Sequence, residues 1–354
     1  MLKNERISHL DGLRGVAIIF VIMFHAYARW PEYIPWTTQY KEFPIFKFGY
    51  MGVQLFFIIS GFVIYMTLER CSSFFEFLYR RWIRLFPAML VATLLVFFSA
   101  NYLNERPAGI PEGMDMISGL VFIEPSILNK IFGLEFSSIE GAFWSLYVEV
   151  KFYLIFGFIY FISKKKSVHL LTALSLLGFG YKVLLYIGLI DSDGFVNFLF
   201  DLLSLNHFGW FCVGVFLYLQ KKYGGWKYIV WSFVILLTTL ALTFGKNIGA
   251  ILFGFSIYTI FLGCILIDSI SRFASNKVFL FFGFVSYPLY LIHENAMVSL
   301  TIKIHATEKW LPSILTPIPG LVVIVFIAYL ITLYAEPFIK NGIHIIKISL
   351  VKKY

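Results

Sequence analysis

The chain has 354 residues, 59% of them hydrophobic and 14% charged, with a net charge of +9. Soluble domains are roughly half apolar and about a quarter charged, so the composition excludes a water-soluble fold and makes lipid the solvent for much of the surface. Backbone polar groups in hydrocarbon need internal partners. The apolar runs are long and continuous rather than short and alternating, which argues against a barrel and leaves an all-α integral membrane protein.

About ten transmembrane helices are expected, at 13–29, 49–68, 85–103, 142–162, 168–190, 196–220, 227–244, 248–268, 278–302 and 319–343. Most approach the roughly 20 apolar residues that a span requires. Ten spans place both chain ends on one side. Eighteen of the 29 Lys and Arg residues fall on that side, from Lys3 and Arg6 through Arg80, Arg81, Arg84 and Lys164–Lys166 to Lys352 and Lys353. Eight fall opposite, and Arg14, Lys151 and Lys182 lie within spans. The positive-inside rule makes the eighteen cytoplasmic, an N-in/C-in topology. The net charge is thereby an orientation signal and calls for no nucleic-acid partner. No cleavable signal peptide is seen, since the first apolar run follows Glu5 and Asp11 without a small-residue cleavage site. Cys71, Cys212 and Cys264 are scattered and form neither a disulfide framework nor a metal motif.

Connections are short, so residues 1–354 are expected to form one transmembrane domain without an appended soluble domain. The exception is an extracytoplasmic loop at about 104–141, with six acidic residues: Glu105, Glu112, Asp115, Glu124, Glu135 and Glu140. Its apolar patch at 116–123 is too short to cross a bilayer. A structured cap and a substrate-facing role are both open for it.

Ionisable residues at membrane depth mark candidate sites. In the first span Arg14 and His25 are 11 residues apart, hence on one face and about 16 Å apart along the axis. A cation at the inner mouth with an imidazole deeper in suits an anionic ligand that threads inward. A snorkelling arginine and a core histidine are the plainer readings. Before the third span, Arg81 and Arg84 are one turn apart, and arginine binds phosphate in a bidentate manner; ordinary inner-side charge is the alternative. In the fourth span Glu149 is flanked on one face by Ser145 and Tyr153, and a structural ion pair between helices is its alternative. Lys151 points away and has no evident partner. In the ninth span His293 is about 22 Å from the inner end. His25, Glu149 and His293 thus reach similar depths on three helices, which is the strongest hint of a site. Asp201, Asn206 and His207 on the sixth span read first as helix–helix hydrogen bonds.

The same residues carry a resemblance. Leu10-Asp-Gly-Leu-Arg-Gly15 with His25, then Gly52-Val-Gln-Leu-Phe-Phe-Ile-Ile-Ser60-Gly61-Phe62, resembles the opening of the membrane acyltransferase family three. Arg81-x-x-Arg84, Trp144-Ser-Leu-x-Val-Glu149 and Ser286-Tyr-Pro-Leu-Tyr-Leu-x-His293 are similar to its later motifs, in order. The resemblance covers Ser8 to Pro337. It implies a ten-helix protein of the bacterial cytoplasmic (inner) membrane that moves an acyl group, expected to be acetyl, from acyl-CoA to a sugar hydroxyl. Family acceptors include O-antigen, exopolysaccharide, peptidoglycan and small glycosylated molecules. Some members carry an extracytoplasmic hydrolase-like domain; this chain ends soon after the tenth span and none is expected. Residues and resemblance together make His25 the general base. Glu149 orients His25 or binds the acceptor, and His293 polarises the carbonyl or holds the sugar. Arg14, Arg81 and Arg84 receive the coenzyme A phosphates, and Ser60, Trp144 and Tyr287 contact substrate. No metal is expected, membrane lipid is a partner, and self-association is left open. The alternative from another class is a proton-coupled transporter or flippase of an acidic or sugar-linked solute, for which intramembrane His and Glu would serve equally. Against it, the sequence shows no inverted repeat and no paired broken helices.

Overall fold

The computed structural model describes residues 7–190 and 195–351. Lys3, Arg6, Lys352 and Lys353 of the charge count lie outside the described residues. All regular structure among the described residues is helical. The longer helices in chain order are α1 Ser8–Tyr27, α2 Gly52–Leu68, α3 Phe74–Ser99, α4 Asp115–Val121, α5 Pro125–Phe132, α6 Trp144–Ile162, α7 Ser167–Tyr186, α8 Phe195–Leu202, α9 Phe208–Tyr223, α10 Trp226–Phe244, α11 Ile248–Leu266, α12 Asp268–Ala274, α13 Lys277–Ile292, α14 Glu294–Thr307, α15 Pro317–Leu330 and α16 Glu336–Val351.

Among the described residues, eight helical segments are long and apolar enough to cross a membrane, and a ninth span arises if α12 and α13, bent by 59°, count as one. The chain is therefore a helical multi-pass membrane protein. It departs from ten uniform spans in three places. The expected sixth span breaks at Ser204, whose φ of 54° is left-handed, so α8 and the 16-residue α9 are separate helices. The expected ninth span breaks at His293 into α13 and α14. The third helix begins at Phe74 rather than 85, which places Arg80, Arg81 and Arg84 on α3 itself.

The chain divides into two compact units. One comprises Met1–Ala17, Met51–Tyr79 and Ser145–Leu280. Within it, a Cβ on Gly61 would fall 2.0 Å from the carbonyl oxygen of Phe211, and one on Gly214 would fall 1.9 Å from that of Ile58. α2 and α9 therefore meet backbone to backbone, a packing that lipid-soluble helices achieve through small residues. The rings of Phe57 and Phe152 stack on Phe211 at 4.7 and 4.1 Å, and Lys222 pairs with Glu69 at 2.7 Å.

The other unit comprises Ile18–Tyr50, Arg80–Trp144 and Phe281–Tyr354. Here the Tyr27 hydroxyl donates to the carbonyl of Ile314 at 2.7 Å, and Trp36 stacks on His305 at 3.9 Å. The 104–141 segment is structured: Asp115 accepts from the backbone N–H groups of Glu112 and Ser137 at 2.8 and 2.7 Å. Ser299 and Lys303 on α14 both donate to Glu105, at 2.7 and 2.8 Å, which ties the start of this segment to that helix.

Candidate functional site

The second unit holds a buried cluster of ionisable side chains where the last turn of α1 meets the break between α13 and α14. His25 Nδ1 lies 2.8 Å from the carbonyl oxygen of Val21, one turn earlier. A carbonyl only accepts, so this partner assigns the proton to Nδ1. His293 Nδ1 lies 2.8 Å from the carbonyl oxygen of Tyr290 and is assigned a proton in the same way. His293 Nε2 is then an acceptor, 3.3 Å from His25 Nδ1, and the rings meet edge to face at 4.8 Å. The remaining nitrogen, His25 Nε2, faces Glu294 Oε1 at 3.5 Å. These assignments leave room for one mobile proton between His25 Nε2 and Glu294. His25 is the member with access: its side chain is 12% exposed against 5% for Glu294, and His293 is fully buried.

Local structure explains the placement of Glu294. α13 carries Pro288, which cannot supply an i→i−4 rung, and helical pairing stops at His293. Glu294 opens α14, where the helix dipole favours a carboxylate. Gly141 packs against this carboxylate so closely that a Cβ there would lie 2.8 Å from Oε2 and 3.0 Å from Oε1 of Glu294.

A second buried carboxylate adjoins the first. Glu140, 1% exposed, accepts from the side-chain amide of Asn295 and, at 3.4 Å, from its backbone N–H. Asn295 Oδ1 accepts from the N–H of Ala108 at 2.9 Å, which fixes the amide orientation. Arg106, 4% exposed, donates to the carbonyl of Ile139 and at 3.5 Å to that of Val96. Its charge acts on both Glu140 and Glu294. Burial first, and the Glu294 carboxylate second, hold Glu140 above the ordinary carboxylate range. One guanidinium cannot neutralise two buried carboxylates, and burying an unbalanced charge is costly. The cluster is neutral when it holds one further proton, on His25 or on a carboxylate. Glu294 Oε2, Glu140 Oε1 and Arg106 Nε have no hydrogen-bond partner among the described residues. Such unmet polar atoms are costly in a closed core and are available to a bound hydroxyl or carbonyl.

Of the residues singled out by sequence, His25 and His293 come into contact. Glu149 belongs to the other unit, where it accepts from the hydroxyls of Ser60 and, at 2.7 Å, of Tyr153. Arg14, also in that unit, makes an ion pair with Asp11 at 2.6 Å. Arg81 is buried and Arg84 half-buried on α3. The Tyr287 hydroxyl donates to the carbonyl of Leu85 at 3.0 Å, and Trp144 is exposed at the start of α6. Sequence reasoning passed over Glu294, Asn295, Glu140 and Arg106. Glu294 and Asn295 directly follow His293, and that adjacency was the available signal; Glu140 and Arg106 were counted only as loop charges. Among the described residues no group of three or more His, Cys, Asp or Glu is arranged to hold a metal ion.

Residues 7–335 match the acyltransferase domain family. The chain is 28% identical over 373 aligned residues to the peptidoglycan O-acetyltransferase OatA of Listeria monocytogenes, an alignment covering 96% of this chain and 57% of that protein. It is also 28% identical over 171 residues to the O-acetyltransferase OatA of Staphylococcus aureus, covering 44% of this chain and 25% of the relative. The chain thus spans little more than half the length of the first relative and a quarter of the second. No solved structure matches.

Proposed function

Because the chain belongs to the acyltransferase domain family, matched over residues 7–335, we propose that it is a membrane O-acetyltransferase with His25 as its general base. It moves an acetyl group from cytoplasmic acetyl-CoA to a hydroxyl of an extracytoplasmic or lipid-linked sugar. The observation that carries this reading is the pairing of His25 Nε2 with Glu294 at 3.5 Å, with His25 Nδ1 tied to the backbone. A hydroxyl is a weak nucleophile and needs a base beside it. The acceptor O–H gives its proton to Nε2 as its oxygen attacks the thioester carbonyl carbon. The C–S bond then breaks, and the coenzyme A thiolate recovers the proton from Nε2. Glu294 stabilises the imidazolium between these two transfers, and His293 Nε2, accepting from the Nδ1–H of His25, helps hold that ring.

Arg81 and Arg84 receive the donor phosphates in this reading, since two guanidiniums one turn apart suit phosphate oxygens. Arg14, which pairs with Asp11 within its own unit, is a further candidate for phosphate. Ser60 and Glu149 of one unit, and Trp144 and Tyr287 of the other, are each candidates for acceptor contact. The side bearing the eighteen Lys and Arg residues is the cytoplasm, and the membrane is the bacterial inner membrane. The Listeria relative is named as a peptidoglycan O-acetyltransferase, which supports peptidoglycan as one acceptor class, with O-antigen and exopolysaccharide as the others.

The test is acceptor-dependent consumption of acetyl-CoA by the protein in nanodiscs, read as free thiol and as labelled acetyl on the glycan. Thiol release that rises with added acceptor is expected. Movement of solute across proteoliposomes without any thioester consumption would overturn the reading in favour of a carrier.

A further inference from the structure

We propose that a cavity between α7, α9 and α10 is a binding site for the phosphate headgroup of an anionic phospholipid. The cavity lies within the first unit, measures about 380 Å³ and is lined by Lys165, His169, Phe216, Lys227, Tyr228 and Trp231, among others. Volumes of roughly 300–1,000 Å³ are typical of small-molecule sites.

Three features set the ligand class. First, the polar lining includes two lysine ammonium groups. Lys165 and Lys227 face the cavity together with the His169 ring, and among the described residues no carboxylate pairs with either lysine. α7 and α10 both begin here, at Ser167 and Trp226, so two long helices direct the positive ends of their dipoles to the same place. An anion is the complement.

Second, the rest of the lining is apolar and aromatic. Phe216 and Trp231 stack at 6.4 Å, and the Lys227 ammonium sits 4.9 Å from the centroid of the Tyr228 ring. A free inorganic anion uses none of this surface, whereas the glycerol and upper acyl chain of a lipid use all of it. Third, α10, which supplies Lys227, Tyr228 and Trp231 to the lining, also carries the exposed apolar side chains Val230, Phe233 and Val234. The exposed apolar surface of this span offers an acyl chain a place beside the cavity. Basic pockets between spans at a charged membrane surface are the general form of such sites. The proposal is independent of the acyltransfer reading, because no residue of this cavity takes part in it.

Native mass spectrometry of the purified protein is the test, with three probes: phosphatidylglycerol, phosphatidylcholine of the same chain length, and inorganic phosphate. Retention of one phosphatidylglycerol is expected, with weaker retention of phosphatidylcholine and none of phosphate. Each lysine near an anionic headgroup contributes roughly fivefold in affinity. Lys165→Gln with Lys227→Gln should therefore weaken phosphatidylglycerol binding by more than about tenfold. Trp231→Ala should weaken both lipids alike. Equal retention of the two lipids, phosphatidylglycerol binding unchanged in the double variant, or saturation by inorganic phosphate would each overturn the proposal. The last would make this a free-phosphate site. An unchanged melting temperature in lipid-free detergent separates loss of binding from loss of fold.

Discussion

His25 Nε2 and Glu294 Oε1 face one another at 3.5 Å, from helices at opposite ends of the chain. In the proposed reaction the carboxylate sits on the nitrogen that takes the proton, while the other nitrogen is held by a backbone carbonyl. In this arrangement the ring orientation is fixed by α1 itself, and Glu294 acts on charge rather than on tautomer. It follows that His25→Gln, which can hydrogen-bond but cannot take a proton at neutral pH, should lose about 10²–10⁴-fold in transfer rate. Coenzyme A affinity by calorimetry should stay close to wild type. Retention of more than about a tenth of turnover would remove His25 from the role of base.

Gly141 allows the role of Glu294 to be tested without touching a charged residue. A methyl group at this position would come within 2.8 Å of Oε2, and the carboxylate, as the end of a flexible side chain, yields by rotating. Gly141→Ala should lower kcat by about tenfold or more, with KM and melting temperature little changed, because a misplaced charge stabiliser costs rate before stability. Glu294→Gln should lower kcat at least as far. If Gly141→Ala turns over normally while Glu294→Gln does not fold, Glu294 is structural.

Sequence revealed the height of the site and little of its circumference. The rise per residue along a helix places His25 and His293 at one depth, and the two rings do meet. The same arithmetic gives Glu149 a similar depth; its described partners are Ser60 and Tyr153, within its own unit. Rise per residue measures position along an axis and carries no information on which helix stands beside which. Glu140 and Arg106 were illegible for a related reason. They read as loop charges of an acidic segment, and only the tertiary fold turns them inward to the start of α14. Arg14 is the converse case. Its partner Asp11 is one turn away on the same helix, so this ion pair is readable from spacing alone.

In the proposed function Arg81 and Arg84 on α3 receive the phosphates of a coenzyme A donor. Arg81→Ala and Arg84→Ala should each weaken coenzyme A binding while the protein inserts and purifies normally. Lysine at either position should rescue only in part, because a point charge lacks the bidentate fork. Calorimetry with coenzyme A decides this, and unchanged affinity in both alanine variants would reduce the pair to orientation signals.

The last expectation concerns Glu140, which immediately precedes the Gly141–Ile162 span. Its burial and the adjacent Glu294 carboxylate raise it above its ordinary value near 4.5, and Arg106 and Asn295 offset only part of that rise. A carboxyl group whose folded-state value is raised binds its proton more tightly in the folded protein than in the unfolded chain. Its contribution to stability is therefore complete below the ordinary carboxylate range and is lost as pH climbs through the raised value. Wild-type protein should melt progressively lower as pH rises from about 5 into the alkaline range. Glu140→Gln keeps an oxygen for Asn295 but has no proton to lose. It should match wild type at acidic pH and melt higher than wild type at alkaline pH, by differential scanning fluorimetry in one detergent. Parallel melting curves for the two proteins across the whole range would show that Glu140 binds its proton no more tightly in the fold than in the unfolded chain.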